Sequence, residues 1–83
     1  MRILLVEDDD MIGESVMAGL ETEGHAIDWV RDGNSALLAL NTTPYSLVIL
    51  DLGLPGKDGL QVLKEMRGRR DPTPVSYTHL RAH

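Results

Sequence analysis

The sequence predicts an α/β fold built on a doubly wound parallel sheet. Three observations carry this. Short apolar runs of strand character alternate with amphipathic stretches, in the order strand, helix, strand, helix, strand, helix. That order implies parallel strands joined by right-handed crossovers. The third apolar run, Leu47-Val48-Ile49-Leu50, shows no polar alternation and reads as a strand covered on both faces.

Each element has its own signature. Arg2–Val6 is a leucine and β-branched run bounded by acids, and it is expected to be the first, buried strand. Asp10 is suited to cap the first helix, along which Ile12, Val16 and Leu20 recur at helical spacing and which Gly24 is expected to stop. His25–Val30 reads as the second strand, and Asp32-Gly33 as a turn. Asn34–Leu40 is expected to be a short helix, broken by Asn41 to Pro44. Ser46–Leu50 is the third strand, and Leu52–Gly59 a Gly-rich loop. Leu60–Arg67 is the third helix, with Leu60, Leu63 and Met66 on one face. Arg67, Arg69 and Arg70 lie at or beyond its C-terminal end, where positive charge suits the helix dipole.

Composition bounds the possibilities. A chain of 83 residues is at most one domain, and one this small buries only roughly 60% of its unfolded surface. It has no cysteine, so neither a disulfide nor a thiolate metal site is available, and a reducing cytosol fits. A formal net charge of −5 disfavours nucleic-acid binding by this segment alone. The apolar start runs directly into four acids, unlike a signal peptide, and no stretch approaches the ~20 apolar residues of a membrane span. There is no internal repeat.

The chemistry lies in the acids. In a doubly wound sheet ligands bind at the carboxyl ends of the strands. Glu7, Asp8, Asp9 and Asp10 follow the first strand, and Asp51 follows the third. If those strands are neighbours, Glu7, Asp8 and Asp51 crowd together. Clustered carboxylates are relieved by protonation or by a hard cation, and Mg²⁺ suits one or two carboxylates plus phosphate oxygens. A carboxylate beside such a cation is a candidate phosphoryl acceptor.

The plainer alternative is that acids after a strand cap the next helix. It is preferred for Asp9 and Asp10, and Glu7 and Asp8 stay open between the two readings. Asp51, ending a wholly apolar strand, favours a functional role. Gly53, Pro55, Gly56 and Gly59 allow close backbone approach and a tight turn after it, as would an ordinary connector. The Gly53 carbonyl is near enough in sequence to reach a cation held by Asp51. His25 and Trp29 read as packing or surface residues, since a lone histidine without a second ligand is poor evidence for metal. Lys57 reads as a solvated loop residue.

Val6-Glu7-Asp8-Asp9 after the first strand, and Val48-Ile49-Leu50-Asp51-Leu52-Gly53-Leu54-Pro55-Gly56-Lys57-Asp58-Gly59 around the end of the third, resemble the receiver domains of bacterial two-component response regulators. The likeness covers residues 1–74 and is strongest to the OmpR/PhoB type, which carries a C-terminal winged-helix DNA-binding domain. It implies a flavodoxin-like sheet of order 2-1-3-4-5, as in the family member CheY, cut short here after the third helix. It implies Asp51 as phosphoacceptor, with Mg²⁺ bound by Asp8, Asp51 and the Gly53 carbonyl, and by Glu7 through water. It implies a sensor histidine kinase as partner, a cytoplasmic location and no membrane contact. Contact with DNA would come only through a missing C-terminal domain. Homodimerisation on phosphorylation is open to the full-length parent. Such a module signals and is not an enzyme.

Beyond Pro74 the pattern departs from the family. Thr78 falls one position before the family's switch hydroxyl, His79 takes that place, and no counterpart of the strand-five lysine is present. Residues 75–83, Val-Ser-Tyr-Thr-His-Leu-Arg-Ala-His, resemble one reading frame of a transposase adapter used in sequencing libraries, and are expected to be a non-native tail. The third strand is then expected to be an exposed apolar edge prone to aggregation. The first helix is expected to lack the partner that a fifth helix supplies.

Two other functions compete. An Mg²⁺-dependent aspartyl-nucleophile phosphatase usually carries a second acid two residues after the nucleophile, where this chain has Gly53. A phosphate-independent receiver-like interaction module would not need Glu7, Asp8 and Asp51 together. A dinucleotide-binding domain is disfavoured, because no G-x-G-x-x-G follows the first strand.

Overall fold

The computed structural model describes residues 1–54 and 58–78. Pro55, Gly56 and Lys57 of the Gly-rich loop, and His79 with the rest of the tail, lie outside the described residues. Four strands, β1 (Arg2–Val6), β2 (Ala26–Val30), β3 (Leu47–Asp51) and β4 (Val75–Thr78), alternate with α1 (Asp10–Thr22), α2 (Gly33–Thr42) and α3 (Gly59–Gly68). The strands form one parallel sheet of order β2-β1-β3-β4. This is the expected doubly wound order, carried one strand further than the sequence suggests.

Strand alternation divides the apolar side chains between two faces. Leu4, Val6, Val48 and Leu50 point to the face covered by α2 and α3, where they close a core with Ala36, Leu54, Val62 and Met66. Ile3 and Leu5 are equally buried on the other face, in register with Ile27 and Trp29 of β2 and with Leu47 and Ile49 of β3. There α1 packs against β2. Among the described residues of α1 only Gly13 is buried, and Met11 is 79% exposed, so this face is more thinly covered.

Local chemistry sets the helix ends. Asp9, Asp32 and Asp58 are the three N-caps, each accepting a backbone N–H three residues on, from Ile12, Ser35 and Gln61. Such a cap is worth about 1 kcal/mol. The first cap is therefore Asp9, one residue before the expected Asp10. The α3 cap is a full capping box, with Gln61 returning a bond to the Asp58 N–H. The end of α1 is a Schellman motif: Gly24 at φ +88° lets its own N–H reach the Glu21 carbonyl and the His25 N–H reach that of Leu20.

Two helices differ from expectation. α2 runs on through Asn41 and Thr42, and ends only where Thr43, preceding Pro44, is forced extended at φ −140°. α3 buries Gly59, Val62 and Met66, while Leu60 is 55% exposed. The cap at Asp58 sets the phase of this helix and turns Leu60 outward, although an apolar count selects it.

The expectation of an open β3 edge does not hold. Val75, Ser76, Tyr77 and Thr78 pair with Val48, Ile49, Leu50 and Asp51. The Arg67 guanidinium donates to the Asp71 and Thr73 carbonyls at 2.7 and 3.2 Å, closing the turn that brings the chain back. The strand following Pro74 thus covers β3 and becomes the outer edge itself.

Candidate functional site

Sheet register builds the site. Val6 pairs with Leu50, so the next residues, Glu7 and Asp51, leave the same edge side by side. Both are buried, at 2% and 3% exposure, and Asp8 is half-buried. One carboxylate oxygen from each of Glu7, Asp8 and Asp51 lies within 4.8 Å of the others. The sequence expectation that these three meet is realised in the structure.

Backbone donors hold two of the carboxylates. The Asp9 N–H donates to Glu7 Oε2 at 3.0 Å, and the Gly53 N–H to Asp51 Oδ1 at 2.9 Å. Asp9 and Asp10 stand outside the cluster: Asp9 caps α1, and Asp10 pairs with Arg31. Burial, opposed by the Asp9 amide, drives the Glu7 carboxyl up to about 7, and a hydrogen bond with Asp51 and the charge of Asp51 push the same way. The neutral form of Glu7 is therefore favoured relative to that of a solvated carboxyl.

The donor set fits a hard divalent ion. All three side chains offer oxygen, and two or three carboxylates with room for further oxygen ligands match Mg²⁺ rather than a soft metal. Gly53 is exposed at the rim of the cluster, with its amide turned to Asp51.

Three neighbours escaped the sequence reading. Trp29 is more than packing, because its indole Nε1–H donates to the Glu7 carbonyl at 2.9 Å. The Arg31 guanidinium lies 4.1 Å from the Trp29 ring centroid. A Cβ at Gly13 would overlap the same indole, so that glycine makes the space it fills. Position alone gave a weak signal: Trp29 sits near the carboxyl end of its strand, where the chemistry gathers. His25 lies just before β2, against the N-terminus and Glu23, far from any second ligand of the cluster.

The chain matches the family model of the response regulator receiver domain over residues 3–79. It belongs to that family. The receiver is 48% identical over 75 residues to the transcriptional regulatory protein QseB of Haemophilus influenzae, covering 90% of this chain and 34% of that protein. It is 47% identical over 75 residues to the response regulator protein PmrA of Pseudomonas aeruginosa, with the same coverage of 90% and 34%. The chain thus spans about a third of the length of these relatives.

Solved receivers share its fold. TrrA of Thermotoga maritima, in complex with Mg²⁺-BeF, superimposes with a TM-score of 0.82 at 37% identity, over 92% of this chain and 64% of that one. TrrA has also been solved with the histidine kinase ThkA, and that structure matches with a TM-score of 0.88 at 35% identity, over 99% of this chain and 71% of the matched chain. Among the described residues of the present receiver, no helix is long and apolar enough to cross a membrane.

Proposed function

We propose that this receiver accepts a phosphoryl group on Asp51 from a partner histidine kinase, with Mg²⁺ as cofactor. The observation that carries the reading is the meeting of Glu7, Asp8 and Asp51 oxygens within 4.8 Å at the carboxyl edge of β1 and β3. In the transfer, an Asp51 carboxylate oxygen attacks phosphorus, the P–N bond of the kinase's phosphohistidine breaks, and the imidazole leaves with the bonding pair.

Asp8, Asp51 and the Gly53 carbonyl would hold Mg²⁺, and Glu7 would reach it through water. The ion, when bound, offsets the charge of the cluster and of the incoming phosphoryl oxygens. The chain's own groups prepare the acceptor. The Gly53 amide fixes the rotamer of Asp51, and the Asp9 amide fixes that of Glu7. Phosphorylation adds charge and acceptor oxygens, which bias a two-state element of the complete receiver.

The relatives named as transcriptional regulators support a further part of the proposal. In a longer parent, the signal would pass to a C-terminal DNA-binding domain, placing the protein in the cytoplasm. Residues 75–83 are proposed to be adapter-derived, and resequencing the source gene without transposase adapters tests that assignment. A recurrence of the same nine residues would make the tail genuine.

The test of the main reading is phosphoryl transfer from a radiolabelled kinase to this chain and to its Asp51→Asn variant. Hydroxylamine-sensitive label on the first and none on the second is expected. Label that persists in Asp51→Asn would place the acceptor elsewhere.

A further inference from the structure

We propose that Trp29 is a positioning residue of the acidic site, a latch that holds the turn from β1 into α1 so that Glu7 and Asp8 face Asp51. The need for a latch follows from the ladder. The Glu7 N–H still donates to the Val30 carbonyl at 3.0 Å, but β1 ends at Val6 and the chain then turns towards α1. The Glu7 carbonyl is taken instead by the indole Nε1–H at 2.9 Å. A rigid, bulky side chain thus tethers the backbone of the residue whose carboxyl enters the cluster, and the adjacent Asp9 amide sets that carboxyl's direction.

The indole is itself fixed from two sides. Gly13 of α1 lets the ring lie where a Cβ would overlap it. The Arg31 guanidinium covers the ring at 4.1 Å and pairs with Asp10 in the first turn of α1. Gly13, Trp29, Arg31 and Asp10 therefore join α1 and the end of β2 to the acidic edge. None of the four needs to touch a cation. Their effect passes through the Glu7 backbone.

The latch rests on the proposed function only for its cation, and its test separates the two. Trp29→Phe keeps a ring and removes the N–H. Should that variant fold poorly, 3-benzothienylalanine incorporated at Trp29 keeps the shape and removes only the donor. Tyr45→Phe is the control. It removes a bond of 2.7 Å to Asp28, which is not a member of the Glu7, Asp8 and Asp51 cluster, so it reports generic loss of a hydrogen bond.

Two quantities are read on the full chain: amide exchange at Asp9 by NMR, and Mg²⁺ affinity by calorimetric titration. The donor-less variants are expected to speed Asp9 exchange and to weaken Mg²⁺ about fivefold, the equivalent of one ordinary hydrogen bond. Tyr45→Phe is expected to do neither. Unchanged values in the donor-less variants, or equal changes in the control, would overturn the latch. If the unsubstituted chain binds no Mg²⁺, the cation reading fails, and Asp9 exchange alone then decides for or against the latch.

Discussion

Gly59 lies directly against the backbone of Asp51: a Cβ at position 59 would stand 2.7 Å from the Asp51 carbonyl oxygen and 2.9 Å from Leu52 Cα. Both obstacles are main chain and cannot swing aside. Gly59→Ala therefore has to displace the end of β3 or the start of α3. Overpacking of this kind costs about 1–3 kcal/mol, against roughly 1 kcal/mol gained in helix propensity. The expected outcome is a lower urea midpoint together with weaker phosphoryl acceptance. An unchanged midpoint would show that the helix start shifts freely.

Asp51→Asn removes one of the crowded carboxylates while keeping its shape. Without divalent cation, the variant is expected to be more stable than the parent by roughly 1 kcal/mol, because the repulsion on Glu7 falls. Mg²⁺ should then stabilise the variant less than the parent. Thermal melts with and without the ion give both differences. A variant less stable than the parent in the ion's absence would mean that the Asp51 carboxylate gains more from the Gly53 amide than it loses to its neighbours.

Glu7 makes stability depend on pH in a definite sense. Its carboxyl is raised from an ordinary 4.5 to about 7, chiefly by burial. The folded state therefore favours the protonated form. This contribution is fully present below pH 4.5 and is lost as pH rises through 7, by roughly 3 kcal/mol in cation-free buffer. Asp28, Asp32 and Asp71 are lowered from 3.8, first by bonds to Tyr45, Ser35 and Thr73 respectively, and act in the opposite sense. Their contribution is lost only as pH falls below that value. Melts across pH 4.5 to 8 should show a decline that Glu7→Gln flattens. A profile unaltered by Glu7→Gln would assign the decline to another group.

Removing residues 75–83 exposes the β3 edge. The Val48 N–H loses the register that seats it on the Pro74 carbonyl at 2.9 Å, and the buried Val48 and Leu50 sit in a strand with unpaired backbone groups. Such edges recruit other chains. A chain ending at Pro74 is expected to lose its cooperative melt and to scatter light at concentrations where the 83-residue chain does not. A monodisperse truncated chain would show that the α3–β4 turn alone protects the edge.

Much of the architecture was legible from residue order. The strand and helix alternation is written in the apolar runs, and Asp51 stands out as the acid that ends the apolar run Leu47–Leu50. Glu7 and Asp8 were legible as partners only on condition that β1 and β3 adjoin. The pairing of Val6 with Leu50 supplies that condition. Sequence and structure differ where a local count competes with a longer-range constraint. Leu60 looks like core, but the Asp58 cap and the close approach of Gly59 to Asp51 set the helix phase that exposes it. The β3 edge looked open because residues 75–78 carry little family pattern, yet backbone pairing needs no side-chain signature.

Residue types and their spacing were enough to specify the parallel α/β scaffold, the start of α1 to within a residue and its stop at Gly24, and the acids that gather at the sheet edge, whereas the caps at Asp32 and Asp58 emerged only with the structure. The burial of Glu7, its hydrogen bond with Asp51 and the tether from Trp29 to the Glu7 carbonyl were decided by packing. Each joins segments more than 20 residues apart across neighbouring strands. Periodicity describes one element at a time, and the strength of a charge or hydrogen bond between elements exists only once the sheet has brought them together.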